Sequence, residues 1–161
     1  MKNQMLSGHR AFARAASSLQ SPFLLAVRLY WGWQFTQTGW GKLHRLSGVT
    51  GYFAQLGLPL PHATAVFIAL LEFVGGILLI LGLASRLIAL PLAFDMLVAY
   101  IVADREALAA FFSDPGKFSA AAPFTFLFAS LLILIFGPGR FALDALLDRS
   151  PSLRVNGSRR N

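Results

Sequence analysis

The chain has 161 residues, of which 56% are hydrophobic and 13% charged, about half the charged share of a soluble domain, so a soluble bundle with a polar face on every helix is excluded. The net charge of +7 does not point to nucleic acid, because the basic residues lie at the chain ends and in short connections, as topogenic charge does beside membrane helices. With no cysteine, disulfides, thiol redox chemistry and thiolate metal sites are excluded as well.

Residues 1–21 read as a cytoplasmic N-terminal segment carrying Lys2, Arg10 and Arg14. The apolar run behind it is too long for a signal-peptide core and lacks a small-x-small site, so the segment is expected to be retained. The first membrane span is expected at about 22–43, with Pro22 at the first helical position, where its missing N–H has no partner to lose. The second is expected at about 62–83 and the third at about 86–104, where Pro91 should kink the helix. The fourth is expected at about 120–137. Stretches of roughly 18 or more apolar residues are long enough to cross a hydrocarbon core. In lipid their backbone groups must bond within the segment, so they are helices. Gly75 and Gly76 read as small residues for close helix packing.

Between these spans, residues 44–61 carry Gly48, Gly51, Gly57, Pro59 and Pro61 and read as an ordered, turn-rich connection. Residues 83–86 form a tight hairpin turn. DREALAAFF after residue 103 reads as a short interfacial helix, with SDPG as a turn behind it. A second short amphipathic piece follows the fourth span, and residues 148–161 read as a disordered basic tail. The fold class is therefore an all-α membrane protein, a four-helix transmembrane bundle with short interfacial helices. Counting Lys and Arg places nine on the side of the termini and four (Lys42, Arg45, Arg105, Lys117) on the other. Both termini are expected in the cytoplasm of a bacterial cell, with a multi-pass domain in its inner membrane.

Ionisable residues inside a span cost roughly 2.5–3.5 kcal/mol each at a helix centre and are functional candidates by default. Arg28, Glu72 and Asp95 are three such residues. At about 1.5 Å of rise per residue, Arg28 lies roughly 9 Å and Asp95 roughly 13 Å from the inner edge, and Glu72 roughly 15 Å from the outer one. The three are expected to form a buried polar site, with Arg28 pairing at least one carboxylate; snorkelling of Arg28 to the inner interface is the alternative. Two carboxyls against one guanidinium leave a charge unbalanced, so one carboxyl holds a proton or Lys42 contributes from the outer end. Trp31, Gln34 and Thr38 share the first span and are expected to line a pocket for a flat apolar ligand. Trp40 fits an interfacial aromatic belt. His9, His44 and His62 have no metal-ligand spacing, and no metal site is expected.

Three stretches resemble the DoxX family. RLYWGWQFTQTGWGKL resembles its opening helix, LLEFVGGILLILGLASR its second helix, and GPGRFALDALL its closing motif, with Ala142 where that family often has serine. The resemblance covers about residues 22–147, taken as one domain. It implies a four-helix membrane protein. Some members are named for the small subunit of a thiosulfate:quinone oxidoreductase, and others are linked to oxidoreductase complexes of oxidative-stress defence. Arg28, Lys42 and Glu72 match recurring polar positions of that family; Asp95 is a candidate by depth alone. The expected function is a membrane subunit of a redox system that contacts quinone, with no intrinsic cofactor. The alternative is a non-catalytic scaffold or assembly factor, and a small transporter is a third reading. Expected partners are the lipid bilayer, a soluble or membrane redox subunit, and further copies of the chain.

Overall fold

The computed structural model describes residues 2–147, with side chains from residue 16 onward. Among these the chain is all-helical. Helix α1 runs Lys2–His44, α2 Leu46–Gln55, α3 Pro61–Leu81, α4 Ser85–Val102, α5 Arg105–Ala109, α6 Pro115–Ala120, α7 Ala122–Phe136 and α8 Leu143–Leu147. The long helices pack in a cycle, α1 on α3, α3 on α4, α4 on α7 and α7 back on α1.

Several expectations change. The first helix does not begin at Pro22 but continues from Lys2, with Pro22 inside it; a proline removes one N–H donor, and the helix on either side is long enough to bridge that gap. The glycine-bearing connection 44–61 contains a ten-residue helix. Val49, Tyr52, Phe53 and Leu56 recur at i, i+3, i+4 and i+7, an apolar stripe that outweighs the cost of Gly48 and Gly51. SDPG is a helix start rather than a free turn. Asp114 accepts a hydrogen bond from the Lys117 N–H at 3.0 Å, and Pro115 takes the first helical position. The basic tail 148–161 lies outside the described residues.

The closest crossing is between α1 and α3. A methyl group at Gly76 would sit 2.5 Å from the Gly32 carbonyl oxygen and from the Thr36 nitrogen. One at Gly39 would meet the backbone of Phe73 and Ala69. Gly32 and Gly39 are seven residues apart, as are Ala69 and Gly76. The two antiparallel helices thus touch backbone to backbone at two successive levels.

The packing is inverted relative to a soluble protein. The buried face of α3 is Ala65, Ala69, Glu72, Gly75, Gly76 and Leu79. Its exposed face is Phe67, Leu70, Val74, Ile77 and Leu81. On α4, Leu87, Leu90, Phe94, Leu97 and Ile101 point outward. Apolar stripes of this extent exceed the patches a soluble monomer leaves in water. By length and composition α3 and α4 can cross a membrane, with mean hydropathies of 2.5 and 1.7. Helix α7 is equally apolar but has 15 residues, about 22 Å at 1.5 Å per residue. Two of the four expected spans are therefore met on these grounds. Helix α1 has ample length, but Arg28, Gln34, Gln37 and Lys42 lower its hydropathy.

Candidate functional site

Two polar centres sit inside this apolar shell, and the sequence reading had merged them. The first is at the α3–α4 hairpin. Arg28 is 1% exposed. Its Nε donates to the Leu79 carbonyl at 3.0 Å, and Nη2 donates to Ile80 at 3.3 Å and Phe141 at 3.1 Å. Its Nη1 donates to the Pro138 carbonyl at 2.6 Å. Leu79 and Ile80 belong to the last turn of α3, at the negative end of the helix dipole, where the Leu79 carbonyl also accepts from the C-cap Gly82 N–H at 3.1 Å. Arg28 therefore caps α3 from the side and ties the 138–141 loop to it.

Asp144 does the opposite work at the start of α4. Its carboxylate accepts from the Ala84 N–H at 2.7 Å and the Ser85 N–H at 2.9 Å, and its own N–H donates to the Gly82 carbonyl at 3.0 Å. Ala84 has φ 49°, a left-handed conformation that costs a non-glycine residue roughly 1–2 kcal/mol; the Asp144 bonds hold it there. Gly82 has φ 70°, and a methyl on it would lie 2.7 Å from both the Arg28 guanidinium and the Ala142 methyl. Ala142 fills the space over Gly82 as a packing group. Asp144 was missed as a structural residue because nothing in GPGRFALDALL says which helix its carboxylate will cap.

The expected pairing of Arg28 with a buried carboxylate does not form. Its four acceptors are backbone carbonyls at one end of the molecule. Lys42, fourteen residues further along α1, is about 21 Å away at 1.5 Å per residue.

The second centre contains the other three candidates. Lys42 Nζ lies 2.6 Å from Glu72 Oε1, with the Lys42 side chain 30% and Glu72 2% exposed. Helical side chains lean toward the N-terminus, so Lys42 reaches back along α1 to the level of Glu72 on antiparallel α3. Asp95 on α4 is 8% exposed, and it stands about as far past the α3–α4 turn as Glu72 stands before it, which sets the two carboxyls at one level of the antiparallel hairpin. Glu72 Oε2 and Asp95 Oδ2 are buried and have no hydrogen-bond partner.

Two cavities flank the carboxyls. One, of about 210 Å³, lies under α2 and is lined by Lys42, Tyr52, Phe53, Asp95, Met96 and Ala99 among others. The other, of about 220 Å³, is lined by Thr38, Lys42, Glu72, Met96, Asp104 and Phe126 among others. Thr38 lines this second cavity. Its hydroxyl donates to the Phe35 carbonyl at 2.9 Å. Trp31 stands behind the wall, its ring edge-on to Phe126 at a centroid distance of 5.1 Å. Gln34 is half-buried and lines neither cavity. Trp33 and Trp40 face outward. Among the described residues no cluster of His, Asp and Glu could hold a metal ion. Asp104 and the α2 residues were missed by sequence reading. The 49/52/53/56 stripe was the signal for α2.

The sequence model of the DoxX family matches residues 23–105, which hold α1 from its middle through α4 and all of Arg28, Lys42, Glu72 and Asp95. The chain belongs to the DoxX family. It is 29% identical over 140 residues to an uncharacterized membrane protein of Mycobacterium tuberculosis, covering 80% of this chain and 83% of that one. It is 29% identical over 135 residues to the inner membrane protein YqjF of Escherichia coli, covering 81% and 96% respectively. A Bacillus subtilis protein named "Putative oxidoreductase CatD" is 28% identical over 120 residues, covering 74% and 83%. No solved structure matches. As a DoxX-family protein the chain is a membrane protein. The outward Leu, Phe and Ile stripes agree with that membrane setting.

Proposed function

We propose that this DoxX-family chain is a four-helix transmembrane subunit of a redox system, and that its Lys42–Glu72–Asp95 centre receives the polar head group of a quinone. The observation that carries the reading is the pair of unpartnered carboxyl oxygens beside two cavities. A buried acceptor without a donor costs about 1–3 kcal/mol; a quinol hydroxyl would supply the missing donor, and a proton on the carboxyl would let it donate in turn to a quinone carbonyl. At about 210 and 220 Å³ the cavities are smaller than the roughly 300–1,000 Å³ of sites that enclose a whole drug-sized ligand. They suit a single-ring head group whose tail stays in lipid. The name of the Bacillus relative agrees with an oxidoreductase setting.

The membrane is a bacterial cytoplasmic membrane, crossed by α1, α3, α4 and α7 with both termini in the cytoplasm. On that reading the Arg28 end faces the cytoplasm and the α2, α5 and α6 end faces outward. Electrons pass between the bound quinone or quinol and a partner subunit, soluble or in the membrane, the quinone being reduced when the partner is oxidised and the reverse.

The test is titration of the purified protein in lipid nanodiscs with a short-chain ubiquinone, read as quenching of tryptophan fluorescence. Saturable quenching is expected, with Kd raised at least tenfold in Glu72→Gln and in Asp95→Asn. Quenching that never saturates, or that is identical in all three proteins, would favour a non-catalytic scaffold with a purely structural polar centre.

A further inference from the structure

Between the two polar centres lies an apolar layer. Phe35, Leu79, Ala89, Leu92 and Ile133, one to two from each of the four long helices, are all 0% exposed and pack as one cluster. From Gly82 at the hairpin back to Glu72 is ten residues of α3, about 15 Å at 1.5 Å per residue. Toward that hairpin lie this layer, with the buried Ser130 of α7 one turn from Ile133, and then Arg28 with its carbonyl acceptors. In the other direction both cavities begin at the carboxyls. One runs to Asp104 at the end of α4, the other to Tyr52, Val102 and Ala103 under α2. Lys42, Met96 and Ala99 line both.

We propose that Glu72 and Asp95 form a proton-holding pair that exchanges with water from one end only, the end carrying α2, α5 and α6. The inference rests on the transmembrane part of the proposed function and not on quinone binding. The charges facing the pair are Lys42 from α1 and Asp104 from the end of α4. Tyr52 of α2 lines the first cavity. Tyr100 of α4 donates its hydroxyl to the Phe118 carbonyl at 2.8 Å. No ionisable side chain of α7 lines either cavity. One ammonium against two carboxyls at one level of the hairpin leaves one negative charge, and a single proton on the pair cancels it. That proton arrives from water through the α2-side cavities and leaves by the same path. The apolar layer blocks the opposite path, as dewetted constrictions do in pores.

The absence of cysteine makes any introduced thiol a unique reporter in the full-length chain. Ser47→Cys on exposed α2 and Arg140→Cys in the exposed 138–141 loop mark the two ends. Ala99→Cys reports the cavities, Val102→Cys is a second reporter there if Ala99→Cys does not accumulate, and Ala89→Cys reports the apolar layer. Spheroplasts and inside-out vesicles are treated with a membrane-impermeant cationic methanethiosulfonate. Ala99→Cys should react from the side that labels Ser47→Cys, at least tenfold faster than from the side that labels Arg140→Cys. Ala89→Cys should react from neither. Equal reaction of Ala99→Cys and Val102→Cys from both sides, or from neither, would overturn the one-sided path. Labelling of Ser47→Cys and Arg140→Cys from the same side would overturn it together with the transmembrane reading.

A second measurement reads the proton itself. In sealed vesicles an alkaline jump on the α2 side should remove a carboxylic-acid infrared band that is absent from Glu72→Gln and Asp95→Asn. A band lost equally with the jump on either side, or no such band, defeats the proposal. A quinone titration that fails while this band behaves as described would reject the ligand and leave the proton path standing.

Discussion

Arg28 has four carbonyl acceptors within 3.3 Å, whereas Glu72 and Asp95 each keep a buried oxygen without a donor. Both centres bury charge in an apolar shell. At the hairpin the charges complement helix ends that need them, Arg28 at the C-terminus of α3 and Asp144 at the N-terminus of α4. Four helix-terminal or loop segments are fastened there, and the cavities of about 700 and 590 Å³ at that end are lined by Phe141 and by Asp144 but not by the guanidinium. At the other centre one ion pair is formed, a second carboxyl stands beside it, and cavities adjoin both. A charge whose bonds are all made holds the fold, even with the Ser85 hydroxyl beside it unpartnered; a carboxyl with a bare oxygen beside a cavity is left to bind something. Burial of an ionisable residue does not separate the two cases. Counting its partners does.

The largest expected effect lies at the hairpin. Arg28→Ala leaves four carbonyls without their charged donor. At about 1.5–3 kcal/mol for a hydrogen bond to a charged group, the loss should be several kcal/mol and should prevent accumulation of folded protein. Arg28→Lys should rescue little, because a point cation cannot reach diverging acceptors as a planar fork does. Thermal unfolding in detergent checks both, and near-normal stability of Arg28→Lys would remove the distinction drawn between the centres.

The next effect is at the open centre and has the opposite pattern. Lys42→Met should destabilise, by less than the roughly 3–5 kcal/mol lost from a fully buried pair because Lys42 is 30% exposed, since it strands a buried carboxylate. Adding Glu72→Gln should restore most of that loss, which a double-mutant cycle reads as coupling. Glu72→Gln alone should cost little stability. If it costs as much as Arg28→Ala, the centre is structural like the hairpin.

The smallest effect belongs to a surface pair and sets the baseline. Lys117 Nζ lies 2.9 Å from Glu106 Oε2. The hydrogen bond from Lys117 and its charge hold the Glu106 carboxyl below its ordinary value of 4.5. A lowered folded-state value means that the pair contributes above pH 4.5 and that its contribution fades as pH falls through the folded value. Lys117→Ala should return Glu106 toward 4.5, read by NMR titration, with almost no change in melting temperature, as exposed pairs contribute little.

Hydropathy and charge patterning carried the all-helical membrane character, because lipid imposes a composition on every segment that crosses it. They also exposed Arg28, Glu72 and Asp95, whose cost in an apolar run makes them conspicuous. Lys42 and Glu72 were candidates by family resemblance and Lys42 also by charge balance; their pairing at 2.6 Å appears only in the structure. The partners of Arg28 were not legible. All its acceptors are backbone carbonyls, which every residue type presents, so no pattern of side chains announces them. The role of Asp144 was hidden for the same reason, since it binds N–H groups sixty residues away. The helical α2 could have been read from its apolar stripe, but three glycines argued the other way.

By itself the sequence determined that this chain places apolar helices in a membrane with a few ionisable groups inside them, because periodicity and composition are local properties. Only the tertiary structure decided which of those groups meet. Gly32, Gly39 and Gly76 set the antiparallel register of α1 on α3, and that register puts Lys42 opposite Glu72 and Arg28 opposite the end of α3. One charge became a clasp and the others a centre beside empty space because of where two helices touch, which no single helix encodes.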